Sequence, residues 1–431
     1  MEFNNTGLTP IVIFNMIIFL FFTLAYFYQL VYMLVALKRG SVELPEAKKN
    51  HRFAFVISAH NEELVIANLV ESIKKQKYPK ELFDIFVIAD ACTDNTAQEA
   101  SRAGAIVWER NDLARKGKSW ALDYCFNRIL NEYGDKYEGY IIFDADNILS
   151  PGYLSEMNKL FDMGYLVGTS YRNSKNFDSS WVSAANALWF IREARFLNNS
   201  RMMLGTSCAI SGSGWMVSNV IVRGMHGWDF HTLTEDIQFS TFCAANGIQI
   251  GFAPGEFYDE QPITFKASWI QRMRWTKGFY QVYFSYHKNL VKSIRGGHFP
   301  AYDMYMVVAP GMILTLISVV VNSVYLIIGN LSKGYLATGG ELLMCAGSVA
   351  MAFINMYVVF FLLAIITTVA EKDHIHASKG CMIKNIFTFP IFMMSYIPIT
   401  VAALFKKVEW VPTKHTEAVK FEDIIAEGED E

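Results

Sequence analysis

The segment FAFVISAHNEELVIANLVESIKKQKYPKELFDIFVIAD, residues 53–90, decides the fold. FAFVISA (53–59) is a short, nearly all-apolar run of the kind buried on both faces of a sheet. NEELVIANLVESIKKQ (61–76) spaces its apolar residues as an amphipathic helix does, and FDIFVIAD (83–90) reads as a second buried strand. Two such strands joined by one helix form a βαβ unit, whose strands run parallel. Outward from it the rhythm continues with a helix from Thr93, the strand AIVWER, a helix from Ser119 to Tyr133 and the strand YIIFDAD. Residues 50–295 are therefore expected to form an α/β domain that collects ligands at the carboxyl ends of its strands.

The polar residues of these runs sit at those ends. Ser58, His60 and Asn61 close the first strand, Asp90 the second, and Asp144 with Asp146 the fourth. Alternate residues of an extended chain point the same way, so both carboxylates of DAD could reach one divalent ion, or one a metal and the other a sugar. A solvated turn would suit them equally well.

Composition accounts for the remainder. The chain has 431 residues, 52% hydrophobic and 15% aromatic, more apolar surface than its cores need. Residues 10–37 carry no charge and exceed the roughly 20 apolar residues that cross a bilayer. The start MEFNNTGLTP lacks the basic region of a cleaved signal, so the helix is expected to be retained. Residues 301–329, with a kink expected at Pro310-Gly311, and 342–369 read as two more spans. The run 386–405 holds Pro390 and Pro398 and is expected to re-enter or lie in the interface rather than span. Lys38, Arg39, Lys48 and Lys49 after the first span, and Lys288, Lys292 and Arg295 before the second, put the middle of the chain in the cytoplasm. A net charge of -3 with no basic stripe argues against nucleic acid. Six cysteines without CxxC spacing predict reduced thiols rather than disulfides or zinc. The acid-rich tail from Glu417 is expected to be loosely ordered.

ARKGKS (114–119) resembles the end of a phosphate-cradling loop, but Asp112 stands where that loop needs glycine; SGSGWM (211–216) lacks the last glycine of a dinucleotide fingerprint. What survives is Lys118 near a helix start, where its ammonium could face a phosphate. TLTEDIQFS (232–240) sets Glu235 and Asp236 before a helix; Thr234 is expected to cap it, and one carboxylate could take the proton of an attacking hydroxyl. In QRMRW (271–275), Gln271, Arg274 and Trp275 share a helical face suited to an amide contact, a phosphate and a stacked sugar. The same helix is basic and aromatic enough to lie on a membrane surface.

SAHNE (58–62), DACTDNT (90–96), GKSWAL (117–122), DAD (144–146), TED (234–236) and QRMRW (271–275), in this order between membrane helices, resemble the membrane-bound family 2 glycosyltransferases, among them cellulose, chitin, hyaluronan and poly-N-acetylglucosamine synthases. The resemblance implies a GT-A α/β domain, a mixed, mostly parallel sheet flanked by helices, inserted between transmembrane helices. It also implies a UDP-sugar donor held by His60, Asn61, Glu62, Asp90, Lys118 and Asp144, with Mg2+ or Mn2+ on Asp146. Asp236 would be the general base, and Glu235, Gln271, Arg274 and Trp275 would surround the diphosphate and acceptor. Ala89, Ala91 and Cys92 depart from the DD-G-S form common at the second motif, and no FxVT stretch follows QRMRW. Trp410 resembles the tryptophan that follows the last membrane segment in relatives.

The expected layout is an N-terminal membrane helix (1–40), a cytoplasmic catalytic domain (41–265), interfacial helices (266–298), two spans (299–370), a loop with the re-entrant or spanning run (371–410) and an acidic tail (411–431), in a multi-pass plasma-membrane protein. The leading expectation is a polymerase adding glucose or N-acetylglucosamine in β-linkage to a growing polysaccharide. A second is a single transfer to a membrane lipid. A third, a transporter or scaffold with a nucleotide-sensing domain, would give Asn15, Gln29 and Asn322 in the apolar helices a role.

Overall fold

The computed structural model describes residues 10–308, 310–331, 339–408 and 422–423. Trp410 and nearly all of the acidic tail lie outside these residues. Eight strands form one sheet: β1 (Phe53–Ala59), β2 (Phe83–Asp90), β3 (Ile106–Arg110), β4 (Gly139–Asp144), β5 (Ile148–Leu149), β6 (Val167–Ser174), β7 (Trp215–Ser218) and β8 (Ile250–Asp259). Their order is β3-β2-β1-β4-β7-β6-β8-β5. β1 pairs in parallel with β2 and β4, β2 with β3 and β6 with β8, while β4 with β7, β6 with β7 and β5 with β8 run antiparallel. The sheet is the mixed, mostly parallel one expected. Six of the seven residues of β1 are buried, because β1 is flanked by β2 and β4 and covered on both faces.

The expected helices form with displaced starts. The stretch 61–76 becomes helical only over Ile66–Lys74, because Asn61 takes a left-handed backbone (φ 58°) and Glu62–Val65 make turns. Likewise the helix expected from Thr93 begins at Thr96, after Asp94 has accepted bonds from the Thr96 amide and hydroxyl. Parallel pairing places the carboxyl ends of β1, β2 and β4 side by side, with Ser58 opposite Asp144 and Asp90 opposite Arg110. β7 enters antiparallel beside β4, which brings the turn before Trp215 to the same edge. Gly214 in that turn has φ 66°, and a Cβ there would sit 2.1 Å from the Phe257 ring, so only glycine fits.

Among the described residues three helices are long and apolar enough to cross a membrane: Pro10–Arg39, Val349–Ala370 and Lys379–Phe405. A bent pair, Phe299–Val308 with Ile313–Ile328, turns through 46° at the expected Pro310-Gly311 kink. The run expected to re-enter or lie flat is thus helical from Lys379 to Met394 and from Tyr396 to Phe405, passing the test of length and composition with Pro390 inside the first helix. The polar residues of these helices bond to protein: Asn15 and Asn322 bond one another at 3.0 and 2.8 Å, and Gln29 accepts from Arg192 at 3.2 Å. Asp303 is a buried junction. It takes both arms of the buried Arg201 guanidinium (2.7 and 2.8 Å) and the hydroxyls of Tyr28 and Tyr32 (3.0 Å each). Glu371 forms an ion pair with Arg195 (2.8 Å) and accepts from the Tyr171 hydroxyl (2.5 Å).

Candidate functional site

β4 ends at Asp144, and the Asn147 amide donates to the Asp144 carbonyl at 3.2 Å, which turns the chain at once. Asp146 therefore lies in a turn rather than on an extended strand, and the alternation argument for the DAD pair does not hold. Asp146 is buried, accepting from the Glu260 amide (3.2 Å) and the Asn147 side chain (3.3 Å). Asp144 stays more open and forms an ion pair with Lys118 at 2.6 Å.

Lys118 opens the helix Lys118–Tyr133 and is the hub of the cleft. Its Nζ lies 3.8 Å from Glu235 and donates to the Gly212 carbonyl at 2.8 Å. The Gly212 amide in turn donates to Asp236 at 2.5 Å. Burial opposes the Lys118 charge, but Asp144, Glu235 and Asp236 outweigh it and raise the ammonium's pKa. For Glu235 burial dominates, and with Asp236 and Asp144 nearby it pushes the carboxyl up to about 7 despite Lys118. A carboxyl perturbed in this way by burial and neighbouring charge is a candidate for acid–base chemistry.

The TED helix, Glu235–Asn246, starts without the expected cap. Thr234 occupies the cap position, but its hydroxyl is buried without a partner among the described residues. The reason is packing: Gly278 of the long helix Phe265–Arg295 approaches so closely that a Cβ there would be 2.4 Å from that hydroxyl. This contact docks the QRMRW helix on the TED turn. Arg274 donates to the Leu233 carbonyl just before TED at 3.2 Å. Gln271 Oε1 is buried without a partner among the described residues. Trp275 packs edge-on against Phe190, 5.9 Å between rings, whose other contact is the Arg172 guanidinium at 3.5 Å.

His60, Asn61 and Asp90 join the same edge by bonding to protein. His60 Nδ1 meets the Asp90 carbonyl at 2.6 Å, and Asn61 accepts from the Thr93 amide at 2.8 Å. Asp90 pairs with Arg110 at 2.5 Å and accepts from the Gly117 amide at 3.3 Å, which anchors the loop leading into Lys118. The Glu62 amide donates to Thr96 Oγ1 at 2.7 Å. All twelve candidate residues are therefore brought to one edge of the sheet or to the helix docked on it.

Several participants went unread in the sequence. Arg110 ends β3 opposite Asp90 in parallel register, a signal present once the two strands are aligned. The SGSG turn serves as backbone to Lys118 and Asp236, not as a nucleotide fingerprint. Arg172 pairs with Asp259 and donates to the Ser211 carbonyl at 3.2 Å, behind that turn. Arg272, the middle arginine of QRMRW, faces away from the cleft. It donates to the Phe392 carbonyl (3.2 Å) and Ser395 (2.7 Å) at the break between the last two helices, and burial lowers its pKa to about 10.

Among the described residues no three His, Cys, Asp or Glu side chains gather as a metal cluster. Asp146 and Asp144 offer the one or two carboxylates that Mg2+ typically takes from protein when phosphates and water complete its shell. The residues fit an ion carried on a diphosphate better than one held by protein alone.

Sheet order, cleft and flanking helices define a GT-A-like α/β domain. The family described as "Glycosyltransferase like family 2" matches residues 51–278, more than half of the chain, and the chain belongs to it. It is 29% identical over 269 residues to beta-monoglucosyldiacylglycerol synthase of Nostoc sp. (strain PCC 7120), covering 59% of this chain and 54% of that protein. It is 23% identical over 248 residues to the probable glycosyltransferase YdaM of Bacillus subtilis, covering 54% and 56%. The chain spans about half the length of the curated relatives it matches. In fold it is similar to the mannosyltransferase PcManGT from Pyrobaculum calidifontis, solved with GDP-Man and Mn2+. The TM-score is 0.56 at 16% identity, over 91% of this chain and 99% of that one.

Proposed function

We propose that this chain is an inverting glycosyltransferase that moves one hexose from a UDP-linked donor to the hydroxyl of a membrane lipid, forming a β-glycosidic bond. The observation that carries the reading is the convergence of Lys118, Asp144, Glu235 and Asp236 around Gly212, with the QRMRW helix seated on the same turn. Similarity to synthases named for glucosyl transfer to diacylglycerol supports the lipid acceptor, and glucose ahead of N-acetylglucosamine. Polymer synthesis, which the QRMRW resemblance favours, is the second reading.

In the reaction the acceptor oxygen attacks C1 of the sugar as the bond from C1 to the diphosphate oxygen breaks. The bonding pair leaves with the nucleoside diphosphate, and the anomeric centre inverts. Asp236 accepts the hydroxyl proton; its bond to the Gly212 amide aims the carboxylate. Lys118 and Arg274 face the charge that develops on the leaving diphosphate. Asp146, with Asp144 beside it, would hold the Mg2+ or Mn2+ that supplies further charge neutralisation. His60, Asn61, Glu62 and Asp90 frame the base and ribose, while Gln271 and Trp275 border the acceptor. The same reading keeps the catalytic domain cytoplasmic in a multi-pass plasma-membrane protein, where a lipid hydroxyl can reach the cleft from the bilayer.

The test is product length. Purified protein given labelled UDP-glucose or UDP-N-acetylglucosamine, Mn2+ and diacylglycerol in mixed micelles should yield one glycolipid. A ladder of polysaccharide would overturn the single-transfer reading. Asp236→Asn should lower the rate by about 10²–10⁴-fold; unchanged turnover would remove Asp236 as the base.

A further inference from the structure

The far end of the helix Phe265–Arg295 carries a pattern that sugar transfer does not use. Residues 261–302 contain seven lysines and arginines and no aspartate or glutamate. Lys288, Lys292 and Arg295 follow at spacings of four and three, so they share one face of the helix. All three are exposed, and none has an ion-pair partner among the described residues. With His287 and Val291 they line an open groove of about 400 Å³. His287 stacks on Tyr283 with centroids 5.7 Å apart, and its Nδ1 is buried with no hydrogen-bond partner among the described residues. Phe284, 65% exposed, lies one turn before Lys288, and Phe299, 41% exposed, begins the bent apolar pair.

We propose that this groove seats the phosphate headgroup of an acidic phospholipid. Lys288, Lys292 and Arg295 surround the phosphate, and the His287 ring lines the groove beside them. Phe284 and Phe299 enter the acyl boundary on either side. Four features favour a lipid over an acidic polypeptide: unpaired cations, aromatic flanks, an adjoining helix pair apolar enough to cross a membrane, and a volume suited to one headgroup. The inference goes beyond sugar transfer and stands or falls without it, since none of these residues touches the cleft.

The experiment uses the full chain in neutral detergent, titrated with dihexanoylphosphatidylglycerol, dihexanoylphosphatidylcholine or inorganic phosphate and read by native mass spectrometry. The glycerol lipid should be retained, and the choline lipid and inorganic phosphate should not. Lys288→Ala/Lys292→Ala/Arg295→Ala should weaken that binding by about a hundredfold, given roughly 1 kcal/mol per cation near an anionic surface. Lys288→Arg/Lys292→Arg should preserve it. If the triple variant fails to fold, Lys292→Gln and Arg295→Gln alone should each weaken binding several-fold. Equal retention of both lipids, displacement by an equal concentration of inorganic phosphate, stronger capture of polyglutamate, or unchanged binding in the variants would each overturn the proposal.

Discussion

At the scale of single residues, Glu235 of TED is perturbed in a way chemistry can use. Burial holds Glu235 protonated far above the ordinary range, with a pKa near 7 against 4.5 for a free side chain. Between those values the folded protein binds a proton that the unfolded chain has released. Stability associated with Glu235 is thus complete below about pH 4.5 and is lost as pH rises through about 7. Glu235→Gln should flatten this dependence. Melting temperatures across pH 4.5–7.5 should fall with pH for the native protein and less for the variant; parallel slopes would refute the assignment. The acidic pair was visible in the sequence, but the raised pKa of Glu235 was not. It arises from burial of the turn, reinforced by Asp236 and Asp144 against the opposing Lys118, which only the tertiary structure assembles.

At the scale of elements, the close approach of Gly278 to Thr234 joins the TED and QRMRW motifs. Gly278→Ala should force the QRMRW helix away from TED, costing about 1–3 kcal/mol as overpacked sites do and lowering turnover in step. Thr234→Ala alone should cost little, since its hydroxyl has no partner among the described residues, and combined with Gly278→Ala it should recover part of the loss. Calorimetry and initial rates on the three variants measure the coupling; strict additivity would show that the contact transmits nothing. Sequence periodicity located both helices and the first four strands, because buried strands and amphipathic helices announce themselves locally. It could not reveal that Thr234 forgoes its cap for packing, nor that the DAD motif turns after Asp144. It also did not distinguish Arg274, which bonds the Leu233 carbonyl beside TED, from Arg272, which braces the last two helices. Each of these is decided by a partner remote in the chain.

At the scale of the whole molecule, one carboxylate ties three distant segments together. Asp303 meets Arg201 from the α/β domain and Tyr28 and Tyr32 from the N-terminal helix. Asp303→Asn would leave the Arg201 guanidinium buried without its counter-charge, a loss of about 3–5 kcal/mol. The melting temperature in detergent should drop clearly, and Asp303→Asn/Arg201→Met should restore most of it. No change in the single variant would show that Arg201 is solvated instead. The sequence displayed Asp303 only as an isolated charge at the start of an apolar run.

The Asp303 junction also dictates an order of assembly. Arg201 leaves the ribosome about a hundred residues before the acid that neutralises it, and the two tyrosines precede that acid by more than 270 residues. Until Asp303 is synthesised, the N-terminal helix and the α/β domain can meet through Arg192 on Gln29 and Ser200 on the Tyr32 carbonyl, but they lack the carboxylate they share. The last of these bonds is therefore completed late in synthesis, and a chain stalled before Asp303 holds the Arg201 charge on the Asn198 side-chain oxygen, without its carboxylate partner.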